Sequence, residues 1–231
     1  MNNLRRNYMT TALVVVLFAV FLVETSMGGS ESTSVLLKMG AMFNPAVVME
    51  GQWWRLFTAQ FLHIGIMHIA SNAIMIYYIG QYAEPVFGHW RFLLIYLLSG
   101  VGGSLLTLAF GNDQAISAGA STALFGLFGA MTCTGFKDKD NTLLSFLGRQ
   151  ALALAVINLV LDVFMPDVDI LGHVGGLITG ALLAVILGDA TYKGYGKGGR
   201  LLAAAGLIVY VVLILRLGVV LILRLGMVVT V

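Results

Sequence analysis

The chain has 231 residues, of which 59% are hydrophobic and 10% charged, against about 25% charged in a typical globular protein. A domain of this size cannot cover its surface with so few charges, so a soluble fold is excluded and the surrounding solvent is a bilayer. The 13 basic and 11 acidic residues give no basic field for nucleic acid, and the single cysteine, Cys133, excludes an intramolecular disulfide framework and a Cys-clustered zinc site.

Crossing a hydrocarbon core of about 30 Å takes about 20 apolar residues at about 1.5 Å of rise each. Such runs fall at 9–28, 61–82, 92–110, 120–136, 143–164, 170–188 and 201–223. The fold class is an all-α polytopic membrane protein. Residues 1–8 precede the first run, which follows Arg5 and Arg6, lacks a small-x-small cleavage site and reads as a retained signal anchor. Segment 29–60 mixes apolar residues with Trp53, Trp54 and Arg55, the composition of an interfacial loop with short helical pieces. A Gly-rich linker, 189–200, leads into a last span and tail, 201–231, where VVLILRLG at 211–218 recurs at 219–226. The sequence assigns that repeat no function.

Linker charges set the orientation. Arg5, Arg6, Arg91, Lys137, Lys139, Arg149, Lys193, Lys197 and Arg200 all fall on one side of an alternating path, which the positive-inside rule makes cytoplasmic. Lys38 and Arg55 fall on the other side, and Arg216 and Arg224 lie in the tail. The expected localisation is the cell membrane, with the N-terminus cytoplasmic and the C-terminus outside.

Polar residues inside spans are costly, so each is a functional candidate. The second span carries His63, His68 and Asn72, the fourth opens on Gly119-Ala120-Ser121, and His173 lies near the start of the sixth. These three spans run from outside to inside, so Ser121 and His173 share one shallow outer layer. Gly172, Gly176 and Gly180 form a small-residue face that permits close helix approach. Phe125 lies one turn below Ser121, where its ring could pack beside the imidazole. His68 and Asn72, one turn apart, can both donate hydrogen bonds as an oxyanion site requires. The polar loop 111–114 would supply water to a shallow site. His89 beside Trp90 reads as an interfacial residue, and Asp162 as a solvated or paired charge at a helix end.

At these residues the sequence resembles the rhomboid family of intramembrane serine proteases. The blocks run in order from Trp54-Arg55 through His63-x4-His68-x3-Asn72 and Glu84-x3-Gly88-x2-Arg91 to Gly119-x-Ser121-x3-Phe125-Gly126 and Gly172-His173-x-Gly175-Gly176-x3-Gly180. The resemblance implies a bundle of six core helices over 9–188 plus one C-terminal helix. It makes Ser121 the nucleophile, His173 its general base, and His68, Asn72 and the Ser121 backbone N–H the oxyanion donors. Gly119, Phe125 and His63 would support the site. Trp54 and Arg55 would shape the outer loop, and Glu84 and Arg91 would anchor the cytoplasmic ends. Thr122 departs from the glycine that many relatives carry after the nucleophile.

No dedicated acid for His173 is evident, which fits the family's Ser–His dyad. The implied function is hydrolysis of peptide bonds near the outer end of transmembrane protein substrates whose helices are weakened by Gly or Pro. The implied partners are those substrates and the lipid bilayer, with no metal, no cofactor and no nucleic acid. The fifth span and loop 165–169 are candidates for a moving gate and cap. A catalytically inactive rhomboid-like binding protein and, further off, a small transporter are the alternatives.

Overall fold

Backbone polar groups in hydrocarbon have no water to bond, so apolar runs of about 20 residues close their hydrogen bonds internally as helices. The computed structural model describes residues 7–188 and 194–229, with side chains to residue 223. Arg5, Arg6 and Lys193 lie outside the described residues, as does the side chain of Arg224. Seven long helices are described: α1 (Tyr8–Ser26), α5 (Ile66–Phe87), α6 (His89–Phe110), α7 (Ser121–Lys137), α8 (Thr142–Asp162), α9 (Ile170–Leu187) and α10 (Lys197–Val229). Three short helices, α2 (Thr33–Met39), α3 (Asn44–Val48) and α4 (Arg55–Thr58), and a 3₁₀ turn (Ala59–Phe61) fill the expected interfacial segment. Among the described residues there is no strand, only an isolated antiparallel bridge between Met42 and Ser117. The described residues form an all-α bundle with several helices of membrane-spanning length.

Five of the long helices are long and apolar enough to cross a membrane alone, and α5 joins them only when taken with Arg55–Phe61. α7 has 17 residues, the short end of a span. The second span differs from its expected limits. It does not start at residue 61, because the chain turns by 92° between Phe61 and Ile66. Gly65 makes that turn at φ 81°, a left-handed region that costs a residue with a Cβ about 1–2 kcal/mol. α5 then runs past Pro85 to Phe87. Proline has no N–H to give the Gln81 carbonyl four residues back, and Asn7 Nδ2 donates to that oxygen at 3.5 Å.

The bundle is organised around α6, whose apolar window is 72% buried, against 17% for α10. α9 packs against both α6 and α7, and α8 lies on the far side of α7. α10 crosses α6 and α9 at the rim, and α1 packs on α5. Glycines set these distances. A Cβ on Gly176 would strike the Thr122 carbonyl, one on Gly180 the Gly126 carbonyl, and one on Gly129 the Leu177 carbonyl. Backbone meets backbone along the α7–α9 seam, the contact that small residues allow in membranes.

The start of α1 shows how a helix end is satisfied inside a bundle. Glu84, fully buried near the end of α5, accepts from Thr10 N at 2.8 Å, Thr10 Oγ1 at 2.6 Å and Met9 N at 3.1 Å. A carboxylate there meets both the orphan N–H groups and the positive end of the helix dipole. His89 Nδ1 also contacts Glu84, and its ring packs tilted on Tyr8, so His89 is a partner of the buried carboxylate and more than a surface residue. Arg91, two residues further on in the same turn, is exposed.

Candidate active site

Ser121 is the first residue of α7 and His173 lies in the first turn of α9. The glycine seam brings the two N-terminal ends together, and Ser121 Oγ and His173 Nε2, 52 residues apart, lie 2.7 Å from each other. Phe125 stacks on the imidazole with ring centroids 4.3 Å apart and planes 13° apart. These side chains line a cavity of about 600 Å³ that also receives His68 and Asn72 from α5. Met67 and Met75 of α5 form one wall, and Asn158 and Asp162 of α8 the other.

The α5 side chains are held in different ways. His68 Nδ1 accepts from the Ile64 backbone N–H at 3.3 Å. In a neutral imidazole that leaves the proton on Nε2, as a donor. Asn72 is buried, and its Nδ2 has no hydrogen-bond partner among the described residues. A buried amide donor left unpaired is rare and marks a place where another acceptor fits. His63 is fully buried beneath the site. Its Nε2 accepts from Ala120 N at 3.4 Å, and its ring meets the His68 ring edge-on at 5.2 Å. Gly119 lies at φ 145°, and a Cβ there would come within 2.8 Å of His68 Cε1 and Nε2.

Other residues fasten the loops around the cavity. Asp169 caps α9 by accepting from Gly172 N at 2.8 Å, and its second oxygen takes Thr107 Oγ1 at 2.7 Å and Ser117 Oγ at 2.8 Å. That carboxylate ties loop 165–169 to the end of α6 and to the strand-like residues before Gly119. In the outer segment Arg55 is buried, donating to Ala41 O and Gln52 Oε1 at 2.7 Å each, while Trp54 is exposed. Thr122 is wedged between helices: a Cβ on Gly103 would strike its Cγ2, and one on Gly172 would lie 3.0 Å from its Oγ1.

Two acids were not legible as site neighbours. Of the two readings of Asp162, a solvated or a paired charge at a helix end, the structure shows the paired one: it is buried, and its Oδ2 lies 2.7 Å from His173 Nδ1, a partner the sequence did not name. Glu24, buried near the end of α1, accepts from the His63 backbone N–H at 3.0 Å. The signal for both was an ionisable residue inside a span. Among the described residues, no three His, Cys, Asp or Glu side chains gather as a metal ion would need.

Residues 50–190 match the family model described as the rhomboid domain. The chain belongs to the rhomboid family. It is 38% identical over 201 residues to the rhomboid protease GluP of Bacillus subtilis (strain 168), covering 87% of this chain and 38% of that protein. To RHOMBOID-like protein 6, mitochondrial, of Arabidopsis thaliana it is 43% identical over 162 residues, 68% of this chain and 50% of the relative. Inactive RHOMBOID-like protein 8 of the same plant is 35% identical over 154 residues, covering 64% of this chain and 42% of the relative. The chain spans half or less of the length of these rhomboid relatives.

Proposed function

We propose that this rhomboid is an intramembrane serine endopeptidase that cleaves transmembrane substrates near the outer ends of their helices. The observation that carries the reading is the 2.7 Å hydrogen bond between Ser121 Oγ and His173 Nε2 at the wall of a 600 Å³ cavity. Ser121 Oγ attacks the scissile carbonyl as His173 takes its proton. The resulting oxyanion is met by Asn72 Nδ2, His68 Nε2–H and the Ser121 backbone N–H, donors whose positions are fixed before reaction. Collapse breaks the C–N bond, His173 returns its proton to the amine, and the acyl group stays on Ser121. Water, deprotonated by His173, then attacks the ester carbonyl; the C–Oγ bond breaks, His173 returns the proton to Ser121 Oγ, and the carboxylic acid leaves.

A peptide bond inside a helix has its carbonyl already hydrogen-bonded, so the substrate backbone must unwind before attack. Segments with Gly or Pro, which cost a helix about 1 and 3 kcal/mol respectively, unwind most readily. The catalytic unit is α1 and α5–α9, residues 9–188, with α10 added at its rim. The basic residues support a cytoplasmic N-terminus and an exterior C-terminus in the cell membrane: Lys137 ends α7 at the pole opposite Ser121, and its Nζ stands over the ring of Tyr195 in the linker between α9 and α10.

A second reading, a non-cleaving binder of membrane proteins, is favoured only by the similarity to a relative named as inactive. A serine-reactive fluorophosphonate separates the two. Wild type is expected to be labelled and to cleave a model transmembrane substrate, and Ser121→Ala to do neither. Equal cleavage by both proteins would end the protease reading.

A further inference from the structure

We infer that Glu24 is a positioning residue for the oxyanion donors, acting on them from α1 through the turn at 61–66. The inference rests on the protease reading and adds to it a residue that touches no substrate. Glu24 lies outside the segment that matches the rhomboid domain, residues 50–190. Its side chain is fully buried, and among the described residues its two oxygens accept from one donor, the His63 backbone N–H, at 3.0 and 3.4 Å. A carboxyl group is costly to bury within a span. This one meets the backbone where the chain bends by 92° between Phe61 and Ile66.

The same bend is tied to the site at three points. Ile64, the residue after His63, donates its backbone N–H to His68 Nδ1 at 3.3 Å. His63 Nε2 accepts from Ala120 N at 3.4 Å, one residue before the nucleophile, and the His63 ring meets the His68 ring edge-on. Gly119 N donates to Ala59 O at 3.0 Å, just ahead of the bend. Glu24 therefore fixes the peptide that enters His63, and the peptide that leaves His63 aims its N–H at His68.

His68 needs that N–H. A neutral imidazole whose Nδ1 accepts carries its proton on Nε2, and only then can Nε2 donate to an oxyanion. Among the described residues no other group donates to His68 Nδ1. Once the bend slackens, the proton is free to move to Nδ1, and Nε2 then presents a lone pair to the developing negative charge.

Glu24→Gln and Glu24→Leu test this. The amide keeps a carbonyl oxygen for the His63 N–H, whereas leucine fills the space with no acceptor. Glu24→Gln is expected to stay within about threefold of wild-type kcat. Glu24→Leu is expected to lose about 10-fold to 10²-fold in kcat with KM changed less than about twofold, since a displacement of about 1 Å can cost 10²-fold. In ¹⁵N-histidine spectra, His68, identified by its absence from His68→Phe, is expected as the Nε2–H tautomer in wild type and in Glu24→Gln, and as a mixture in Glu24→Leu. A role in folding alone would lower the melting temperature and leave the tautomer unmoved. A folded Glu24→Leu protein with wild-type kcat would overturn the inference, as would a Glu24→Gln protein as slow as Glu24→Leu. Where Glu24→Leu does not fold, Glu24→Gln decides: near-normal turnover with the Nε2–H tautomer kept supports the inference, and loss of either overturns it. His68 protonated on Nδ1 in wild type overturns it whatever the variants do. Cleavage that survives in Ser121→Ala would overturn the protease reading instead, and the His68 tautomer would still report on Glu24.

Discussion

Gly176 of α9 lies so close to the Thr122 carbonyl of α7 that a methyl group placed on it would overlap the oxygen. One turn further along, Gly180 stands in the same relation to Gly126. These backbone contacts set the spacing at which a side chain as short as serine reaches an imidazole on the next helix.

Widening that seam is therefore expected to harm stability and activity together. Gly176→Ala must push α9 away from α7, and overpacking of this kind costs about 1–3 kcal/mol. Thermal melting in detergent and cleavage of a model substrate are both expected to fall. An unchanged melting temperature with full activity would contradict the close-contact account.

Asn72 is expected to behave in the opposite way. Its Nδ2 has no protein partner among the described residues, so Asn72→Ala orphans no acceptor and melting should scarcely move. Loss of an oxyanion donor costs about 10²–10³ in kcat. Kinetics showing normal kcat, or a large drop in stability instead, would remove Asn72 from the oxyanion site.

Gly119 tests the rim of the same site. Gly119→Ala forces a Cβ to within 2.8 Å of the His68 ring and holds an L residue at φ 145°. Turnover is expected to drop strongly as His68 is displaced, while fluorophosphonate labelling of Ser121 slows and does not vanish. A variant with wild-type kinetics would show that His68 does not need its present place.

Glu84 lies near the far ends of α5 and α1, where it receives the first N–H groups of α1. Glu84→Gln removes the charge and one acceptor, a loss of about 1–3 kcal/mol for a buried charged hydrogen-bond group. Hydrogen exchange near residues 9–12 is expected to accelerate, with Ser121 labelling retained because the site is at the other end of the bundle. Unaltered protection there would show that the carboxylate does not hold the helix start.

The orientation is open to a separate check. A reporter fused after Val231 is expected to be active only outside the cytoplasm, since basic residues gather at the pole away from Ser121. Activity in the cytoplasm would refute the path.

The sequence alone determined which segments are long apolar helices, apart from the start of the second, and where along each helix the polar residues stand. Hydropathy along the chain is a local property, and a rise of about 1.5 Å per residue converts position into depth. Ser121 and His173 could thus be placed in one layer, and Gly172, Gly176 and Gly180 on one face. What the sequence could not supply is rotation about each helix axis and the break at Gly65, since those follow from packing against neighbours. The same Asp162, read as a solvated or paired end charge, finds its partner in His173 only once α8 is turned to face α9. Glu24 meets His63, and Glu84 meets Thr10, by the same kind of placement. Depth is written residue by residue, but azimuth is decided by the whole bundle, and hydrogen bonds between helices need both.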